Sequence, residues 1–195
     1  MEGDVNCVVW DASLVLAKYL ETISQQKPEF LSGTKVLELG SGLGVVGLTA
    51  ATLGAQVTLT DLPEALPLLR LNISENKQKI CSMGGYAIAE VLVWGDNNSE
   101  IHKQEFDMVV LADCVYYEDA VEPLLQTLQN LNNKVMKKPT IYLTQELRDT
   151  EVQRKLWSEF YEKLTEMFYV EKIPEDEQHI NYRSPDIVLL KINKK

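Results

Sequence analysis

Short apolar runs alternate with amphipathic segments along the whole chain. Apolar runs bounded by glycine or polar residues predict buried strands, whereas apolar positions three and four residues apart predict helices that pack on a core. The predicted strands cover residues 36–39, 57–60, 86–92, 106–112, 140–144, 168–173 and 187–192. The predicted helices cover residues 12–23, 43–53, 63–79, 120–131 and 151–168.

The alternation of strands and helices predicts a parallel sheet with helices on both faces, joined by right-handed crossovers. The apolar run after Asp107 fits a strand buried on both faces. No convincing helix lies between the last two predicted strands, so we expect them to pair as an antiparallel hairpin. The expected architecture is a single α/β domain over residues 1–195, with a seven-stranded, mostly parallel sheet.

Local signals mark the ends of several predicted helices. Asp11 is a candidate N-cap for the first helix, after a short apolar run at residues 5–10. Gly54 is a typical C-terminal glycine for the second helix. Pro63 is tolerated in the first turn of the third helix, and Pro67 either shifts that start or kinks the helix.

A glycine-rich corner between the first strand and the next helix is the most informative feature. Gly40, Ser41 and Gly42 follow the strand directly, and Asp61 ends the second strand. Glycines let the backbone approach a ligand closely, and an acid at this spacing accepts hydrogen bonds from ribose hydroxyls. The order therefore predicts a nucleoside pocket in a Rossmann-like fold. The alternative for Asp61 is an N-cap on the helix near Pro63.

Glu38 lies within the first strand, just before the glycine turn. A carboxylate sits poorly beside a pyrophosphate, which needs hydrogen-bond donors and no competing negative charge. It suits a ligand that carries a cationic amine and a sulfonium, so Glu38 favours S-adenosylmethionine over a dinucleotide. The alternative is structural, in which Glu38 braces the glycine loop through backbone N–H groups, because a buried carboxylate needs partners in either case.

Two tryptophans are candidate walls of the pocket. Trp94 follows the third strand, where an indole can stack on an adenine face. Trp10 lies in the N-terminal segment, from which it can cover the donor pocket. The alternative for both is ordinary packing on the sheet.

Asp113, Tyr116 and Tyr117 follow the fourth strand and are candidates for the substrate side. A sulfonium donor transfers its methyl group to a nucleophile such as a lysine amine. Asp113 is expected to orient that amine rather than to act as a strong base, because a nearby carboxylate opposes loss of the ammonium proton. The tyrosines are expected to wall a narrow channel for an aliphatic stem. The alternative for Asp113 is a cap on the helix that begins near Ala120. The alternative for the tyrosines is a solvent-exposed edge without a binding role.

Charge and cysteine usage narrow the class of protein. The net charge of −10 argues against binding nucleic acid through its phosphates and suits a basic, lysine-bearing partner. Cys7, Cys81 and Cys114 lack metal-ligand spacing, and an odd count without a secretory signal predicts a reducing, cytoplasmic compartment. His102 and His179 are isolated, so no metal site is expected. No apolar run approaches the length of a membrane span.

Several motifs taken together resemble the seven-strand, non-SET protein-lysine methyltransferases. They are Cys-Val-Val-Trp-Asp-Ala at 7–12, Val-Leu-Glu-Leu-Gly-Ser-Gly at 36–42, Thr-Asp at 60–61, Val-Trp-Gly at 93–95 and Ala-Asp-Cys-Val-Tyr-Tyr at 112–117. The similarity continues at residues 118–128, 171–174, 182–184 and 186. It is greatest to the branch that methylates valosin-containing protein, and it implies the class I S-adenosylmethionine-dependent methyltransferase fold.

The resemblance implies roles for individual residues. Donor contacts are implied at Trp10, Gly40, Ser41, Gly42, Asp61, Trp94 and Ala112. Substrate-side roles are implied at Asp113 and Tyr116. The implied cofactor is S-adenosyl-L-methionine, with S-adenosyl-L-homocysteine as product. The implied substrate is a lysine of an AAA ATPase such as valosin-containing protein, or of a chaperone-like protein, and the enzyme is expected to be a monomer without nucleic-acid or membrane partners.

Two departures from the family pattern affect the substrate side. Relatives carry a further N-terminal β-hairpin before the region of Cys7, so part of the substrate surface is expected to be missing here. The family's Glu-x-Arg motif is present as Glu146-Leu147-Arg148, with different flanks. Two other functions stay open at this point, a catalytically weak donor-binding partner module and, disfavoured by Glu38, a nicotinamide-dependent oxidoreductase.

Overall fold

The computed structural model describes residues 8–133 and 138–195. Its strands are β1 (Lys35–Leu39), β2 (Gln56–Asp61), β3 (Tyr86–Val91), β4 (Met108–Ala112), β5 (Thr140–Glu146), β6 (Phe168–Lys172) and β7 (Ile187–Lys194). Its helices are α1 (Asp11–Gln26), α2 (Val45–Thr52), α3 (Leu66–Ser82), α4 (Glu118–Asn132) and α5 (Glu151–Met167). Short 3-10 turns lie at Glu100–Lys103 and Glu175–Glu177.

The strands form one sheet in the order β3-β2-β1-β4-β5-β7-β6. The strands β1 to β5 pair in parallel, whereas β7 pairs antiparallel with both β5 and β6. The predicted C-terminal hairpin is therefore confirmed, and its second strand inserts between β5 and β6. The strand order reverses between β1 and β4, which is the position where open α/β sheets bind their ligands.

Strand β4 shows how the core is divided. Met108 and Val110 pack into the cluster beneath α1, α2 and α3, whereas Val109 and Leu111 pack into the cluster beneath α4 and α5. All four side chains are buried. The prediction of a strand covered on both faces is thus confirmed, with successive side chains pointing to opposite faces.

Two predicted helix starts are corrected by the structure. The third helix was expected from residue 63 but begins at Leu66, because Pro67 lacks an N–H and fits only the first turn. Asp11 is not the N-cap of α1. It is the first helical residue, and Trp10 is the cap position. Of the apolar run predicted at residues 5–10, only 8–10 lie within the described residues, and they are exposed.

Candidate active site

A cavity of about 1010 Å³ opens at the carboxyl ends of β1, β2 and β4. All of the residues predicted from the sequence line it, namely Trp10, Glu38, Gly40, Ser41, Gly42, Asp61, Trp94, Ala112, Asp113 and Tyr116. Arg148 and Gln153 line it as well. Small-molecule pockets span roughly 300–1,000 Å³, so this cavity has room for a nucleoside and for part of a second reactant.

Gly40 forms the floor of the glycine corner. Its φ of 62° lies in the left-handed region that glycine adopts without strain. A Cβ at this position would lie 2.9 Å from the Sγ of Cys114 and 3.1 Å from the Trp94 ring. Glycine is therefore required here by conformation and by the close approach of the residues that follow β3 and β4.

Asp61 holds the glycine turn through its carboxylate. Its Oδ2 accepts a hydrogen bond from the Gly42 N–H at 2.7 Å, and its Oδ1 accepts one from the Leu62 N–H at 2.7 Å. The alternative of an N-cap on α3 is wrong, because that helix begins at Leu66 after Ala65. The ribose-binding role stays a prediction, and it is compatible with these bonds because carboxylate oxygens accept more than one hydrogen bond each.

Glu38 is buried and braces the start of α2. Its Oε2 accepts a hydrogen bond from the Gly47 N–H at 3.1 Å, so the structural alternative for this residue is realised. Burial raises the pKa of Glu38 to about 8, although the nearby Ser41 hydroxyl and the hydrogen bond from the Gly47 N–H oppose the shift. Burial therefore favours the protonated carboxyl group here more than it is favoured in an exposed glutamate. Its selection of a cationic donor stays a prediction, since a nearby cation would favour the charged form.

The two tryptophans occupy different environments. Trp94 is half-buried against the core cluster beneath α4, and its ring lies over Gly40. Trp10 is 38% exposed at the mouth of the cavity. The guanidinium carbon of Arg148 lies 5.5 Å from the centroid of the Trp10 ring, a cation–π geometry. Trp94 thus packs on the core and lines the cavity, whereas Trp10 lies at the rim, and the adenine-stacking role stays a prediction.

Asp113 is tied to residues that end and follow β5. Its Oδ1 accepts hydrogen bonds from Gln145 Nε2 at 2.8 Å and from Arg148 Nη1 at 3.2 Å, and its Oδ2 pairs with Arg148 Nη2. The helix α4 begins at Glu118 with Tyr117 as its cap position, so Asp113 does not cap it. Both carboxylate oxygens are committed to protein partners. The predicted orientation of an amine by Asp113 must therefore compete with Arg148.

Tyr116 and Tyr117 stand together beside the cavity, with ring centroids 4.5 Å apart. Tyr116 is half-buried and Tyr117 is exposed. Burial raises the pKa of Tyr116 to about 12, so its hydroxyl stays protonated at neutral pH. The pair offers an aromatic surface that an aliphatic stem can contact, and the channel role stays a prediction.

A family profile described as lysine methyltransferase matches residues 1–167 of this chain. The chain belongs to the lysine methyltransferase family. Mouse protein N-lysine methyltransferase METTL21A is 38% identical to it over 181 residues, covering 90% of this chain and 76% of the mouse protein. EEF1A lysine methyltransferase 3 from Xenopus tropicalis is 41% identical over 128 residues, covering 63% of this chain and 51% of the frog protein.

The fold of this lysine methyltransferase recurs in solved structures of low sequence identity. A TehB-like S-adenosylmethionine-dependent methyltransferase from Corynebacterium glutamicum superposes with a TM-score of 0.61 at 21% identity, covering 91% of this chain and 88% of that one. Magnesium protoporphyrin IX methyltransferase from Synechocystis, solved with bound S-adenosylhomocysteine, gives 0.60 at 15% identity, covering 100% and 90%. The predicted class I methyltransferase fold, the enzyme class and the methyl donor are thus confirmed.

The cavity of this lysine methyltransferase has features that fit S-adenosylmethionine. The Ser41 Oγ is buried beside Glu38. Within the described residues it has no hydrogen-bond partner. It therefore has a donor and lone pairs left for a ligand. The residues that would hold the donor are Gly40, Ser41 and Asp61 around the corner, with Trp94 as the apolar wall.

The residue-based reasoning missed the partners of Asp113. No local signal in the sequence marks Gln145, and Arg148 is marked only as part of the Glu-x-Arg motif. Gln145 lies near the end of β5 and Arg148 follows that strand. Strand β5 lies beside β4 in the sheet and runs parallel to it. The strand order was the signal that would have found them, because it brings the ends of β4 and β5 together.

Residues 8–133 and 138–195 contain neither a metal-binding cluster nor a membrane-spanning helix. No group of three or more His, Cys, Asp or Glu side chains there is arranged to hold a metal ion. Within the same ranges, none of the helices combines the length and the apolar character needed to cross a membrane.

Proposed function

We propose that this lysine methyltransferase methylates a lysine of a folded protein, in particular of an AAA ATPase such as valosin-containing protein or of a chaperone. One observation carries the proposal. A single cavity joins the glycine corner after β1, which Asp61 borders, to the turn after β4 that carries Tyr116 and Tyr117. The corner suits the methyl donor and the turn suits a lysine stem, so both reactants meet in one enclosure.

Methyl transfer to an amine is a direct displacement. S-adenosylmethionine, when bound, supplies the electrophilic methyl group. The lone pair of the lysine Nζ forms the new N–C bond, and the electron pair of the broken C–S bond stays on sulfur. The amine must be neutral before it attacks, so its proton leaves to water first, and removal of the amine from water inside the cavity favours that loss because desolvation disfavours the ammonium form.

Asp113 has an electrostatic role in this proposal and does not act as the base. Accepting a proton would weaken its hydrogen bonds from Arg148 and Gln145. We expect Asp113→Ala to lower turnover while the dissociation constant for S-adenosylhomocysteine changes by less than about threefold, well under the 1.4 kcal/mol of a tenfold change. Calorimetric titration and initial rates measure the two effects. Loss of donor binding with turnover retained at saturation would make this assignment wrong.

The substrate class is supported by sequence similarity and charge. Residues 118–128, 171–174, 182–184 and 186 resemble the branch that acts on valosin-containing protein. The net charge of −10 suits a basic, lysine-bearing surface. The elongation factor EEF1A is the alternative substrate, because relatives from Xenopus tropicalis and mouse are named for that activity.

The donor is tested by binding. Calorimetric titration of the purified chain should show binding of S-adenosylhomocysteine and none of NAD. The reverse pattern would restore the oxidoreductase alternative and would contradict the proposed function.

The substrate is tested by transfer of a radiolabelled methyl group. The chain is incubated with labelled S-adenosylmethionine and purified valosin-containing protein, a chaperone or EEF1A, and modified lysines are located by mass spectrometry. The Asp61→Ala variant is the matched control. Labelling of valosin-containing protein or the chaperone supports the proposal, and labelling of EEF1A alone replaces the substrate. Labelling of none of the three, nor of any lysate protein, favours a weak donor-binding module.

We further propose that the protein is a cytoplasmic monomer. The exposed thiol of Cys81 and the buried thiol of Cys114 are both free, which suits a reducing compartment. Light scattering coupled to size-exclusion chromatography should give a mass near 22.1 kDa. A mass of twice that value would contradict the monomer.

A further inference from the structure

The turn that follows β4 has a backbone conformation that needs support. Asp113 has a φ of 56°, and among the described non-glycine residues no other has a positive φ. The left-handed conformation costs roughly 1–2 kcal/mol for a residue with a Cβ. The Asp113 N–H donates to the Thr144 carbonyl at 2.8 Å, which continues the β4–β5 ladder into the turn. Such strain persists only when surrounding contacts over-determine it.

Gln145 supplies three of the contacts that hold this turn. Its Nε2 donates to Asp113 Oδ1 at 2.8 Å and to the Val115 carbonyl at 3.2 Å. Its Oε1 accepts from the Val115 N–H at 3.0 Å. The side chain is 2% exposed, so water does not replace these bonds. One amide thus joins both ends of the turn between Asp113 and Val115.

The pattern of donors and acceptors requires an amide at this position. The Asp113 carboxylate and the Val115 carbonyl face the nitrogen, with the Glu146 carbonyl farther away at 3.4 Å, and one donor, the Val115 N–H, faces the oxygen. A carboxylate offers acceptors only, and an apolar side chain offers neither. Glutamine satisfies the three groups at once, and removal leaves buried polar atoms without partners.

We propose that Gln145 is a positioning residue that holds the turn of residues 113–116 in the shape that the acceptor side of the cavity needs. The proposal rests on the proposed function. Tyr116 follows Val115 directly, and its carbonyl accepts a second glutamine bond, from Gln153 Nε2 at 3.1 Å. Release of the Val115 backbone therefore shifts Tyr116, whereas the glycine corner and Asp61, on β1 and β2, keep their own hydrogen bonds.

Steady-state kinetics and donor titration test whether Gln145 affects turnover without affecting donor binding. We expect Gln145→Met to lower kcat by about tenfold or more, with the dissociation constant for S-adenosylhomocysteine within about threefold of the wild-type value. The matched control is Gln178→Met. Gln178 is also a buried amide, and it donates to the Ile173 carbonyl at 3.0 Å in the connection between β6 and β7. The control should keep both parameters, and equal losses in both variants would overturn the proposal.

The Gln145→Glu variant adds a pH profile that a purely structural role does not produce. Its new carboxyl group replaces the amide that donates to Asp113 Oδ1 and to the Val115 and Glu146 carbonyls, and the nearby charged side chains of Arg148 and Glu146 pair with each other, Arg148 also with Asp113. When protonated it can donate to Asp113 and accept from the Val115 N–H, and when ionised it repels Asp113. The ratio of its kcat to the wild-type kcat should therefore fall as the pH rises. A ratio independent of pH would contradict the proposed hydrogen-bond pattern.

Hydrogen exchange measured on the protein without substrate separates this inference from the proposed function. In Gln145→Met the amides of residues 113–117 should exchange faster, while those of β1 and β2 keep their protection. Faster exchange of residues 113–117 in Gln145→Met, together with an inactive wild-type protein, would contradict the proposed function alone. Unchanged exchange in residues 113–117, or wild-type turnover by the variant, would sink the positioning role alone.

Discussion

Asp61 shows how one side chain joins structure to ligand binding. It holds the Gly42 and Leu62 amides and also borders the cavity. We expect Asp61→Ala to weaken binding of S-adenosylhomocysteine by roughly 1.5–3 kcal/mol, the range for hydrogen bonds to a charged group. Isothermal titration calorimetry measures the loss.

Two comparison variants sharpen the Asp61 prediction. Asp61→Asn keeps one acceptor oxygen and should lose less affinity than Asp61→Ala. Glu90→Ala removes an exposed acid from β3 and should leave the affinity unchanged. Equal affinities in all three variants would exclude Asp61 from the donor site.

Glu38 should make stability depend on pH. Its pKa is raised by burial from 4.5 to about 8, so the folded state binds the proton more tightly than the unfolded state. The stabilising contribution is full below pH 4.5 and is lost as the pH rises towards 8, by about 1.4 kcal/mol per pH unit. Glu38→Gln keeps an acceptor for the Gly47 N–H and removes the titration.

Urea unfolding at several pH values checks this sign. The stability of wild type relative to Glu38→Gln should decline between pH 5 and pH 8, a window on the order of the pKa shift itself. A difference that is constant with pH, or that grows in favour of wild type, would show that the Glu38 pKa is not raised.

At the scale of elements, the start of α2 depends on two glycines. The sequence predicts this helix from residue 43, but it begins at Val45, because Gly44 has a φ of 82° and is the cap position. Gly47 lies in the first turn. A Cβ there would lie 2.5 Å from Glu38 Oε2 and 2.8 Å from the Leu59 side chain. The first turn of α2 is thus packed directly on β1 and β2.

Gly47→Ala should therefore destabilise the protein, although alanine usually favours a helix over glycine by about 1 kcal/mol. Overpacking of this kind costs about 1–3 kcal/mol, and displacement of Glu38 should also weaken S-adenosylhomocysteine binding. Gly84→Ala is the control, because its φ of 75° imposes strain with no neighbour in reach. Both variants should lose stability, but loss of donor affinity is expected for Gly47→Ala alone. Stabilisation by Gly47→Ala would contradict the packing argument.

The elements themselves were largely predictable, because apolar periodicity reports burial within a single segment. The apolar run of β4 and the missing helix before β7 both led to correct assignments. The errors fell at helix ends near Pro67 and Gly44, where one backbone conformation decides the boundary. The order of strands did not follow from the pattern, because each segment indicates which of its faces are buried and not which strand lies beside it.

At the scale of the whole molecule, the net charge of −10 should act on substrate encounter. Attraction between an acidic enzyme and a basic protein surface is screened by salt. On raising the ionic strength from about 50 to 200 mM, kcat/KM for a protein substrate should fall by about threefold or more. Binding of S-adenosylhomocysteine inside the cavity should change far less, and it serves as the internal control. A kcat/KM independent of salt would exclude electrostatic steering.

The sequence by itself determined the elements, the antiparallel end of the sheet, the glycine corner and the residues that gather around the cavity. These follow from local signals, because periodicity, glycine and the carboxyl ends of strands carry their meaning within a short stretch of chain. Only the tertiary structure decided that Glu38 braces the start of α2 with a pKa raised by burial, and that Asp113 is held by Arg148 and Gln145. Protonation and pairing depend on burial and on neighbours from distant segments, which no single stretch of sequence contains.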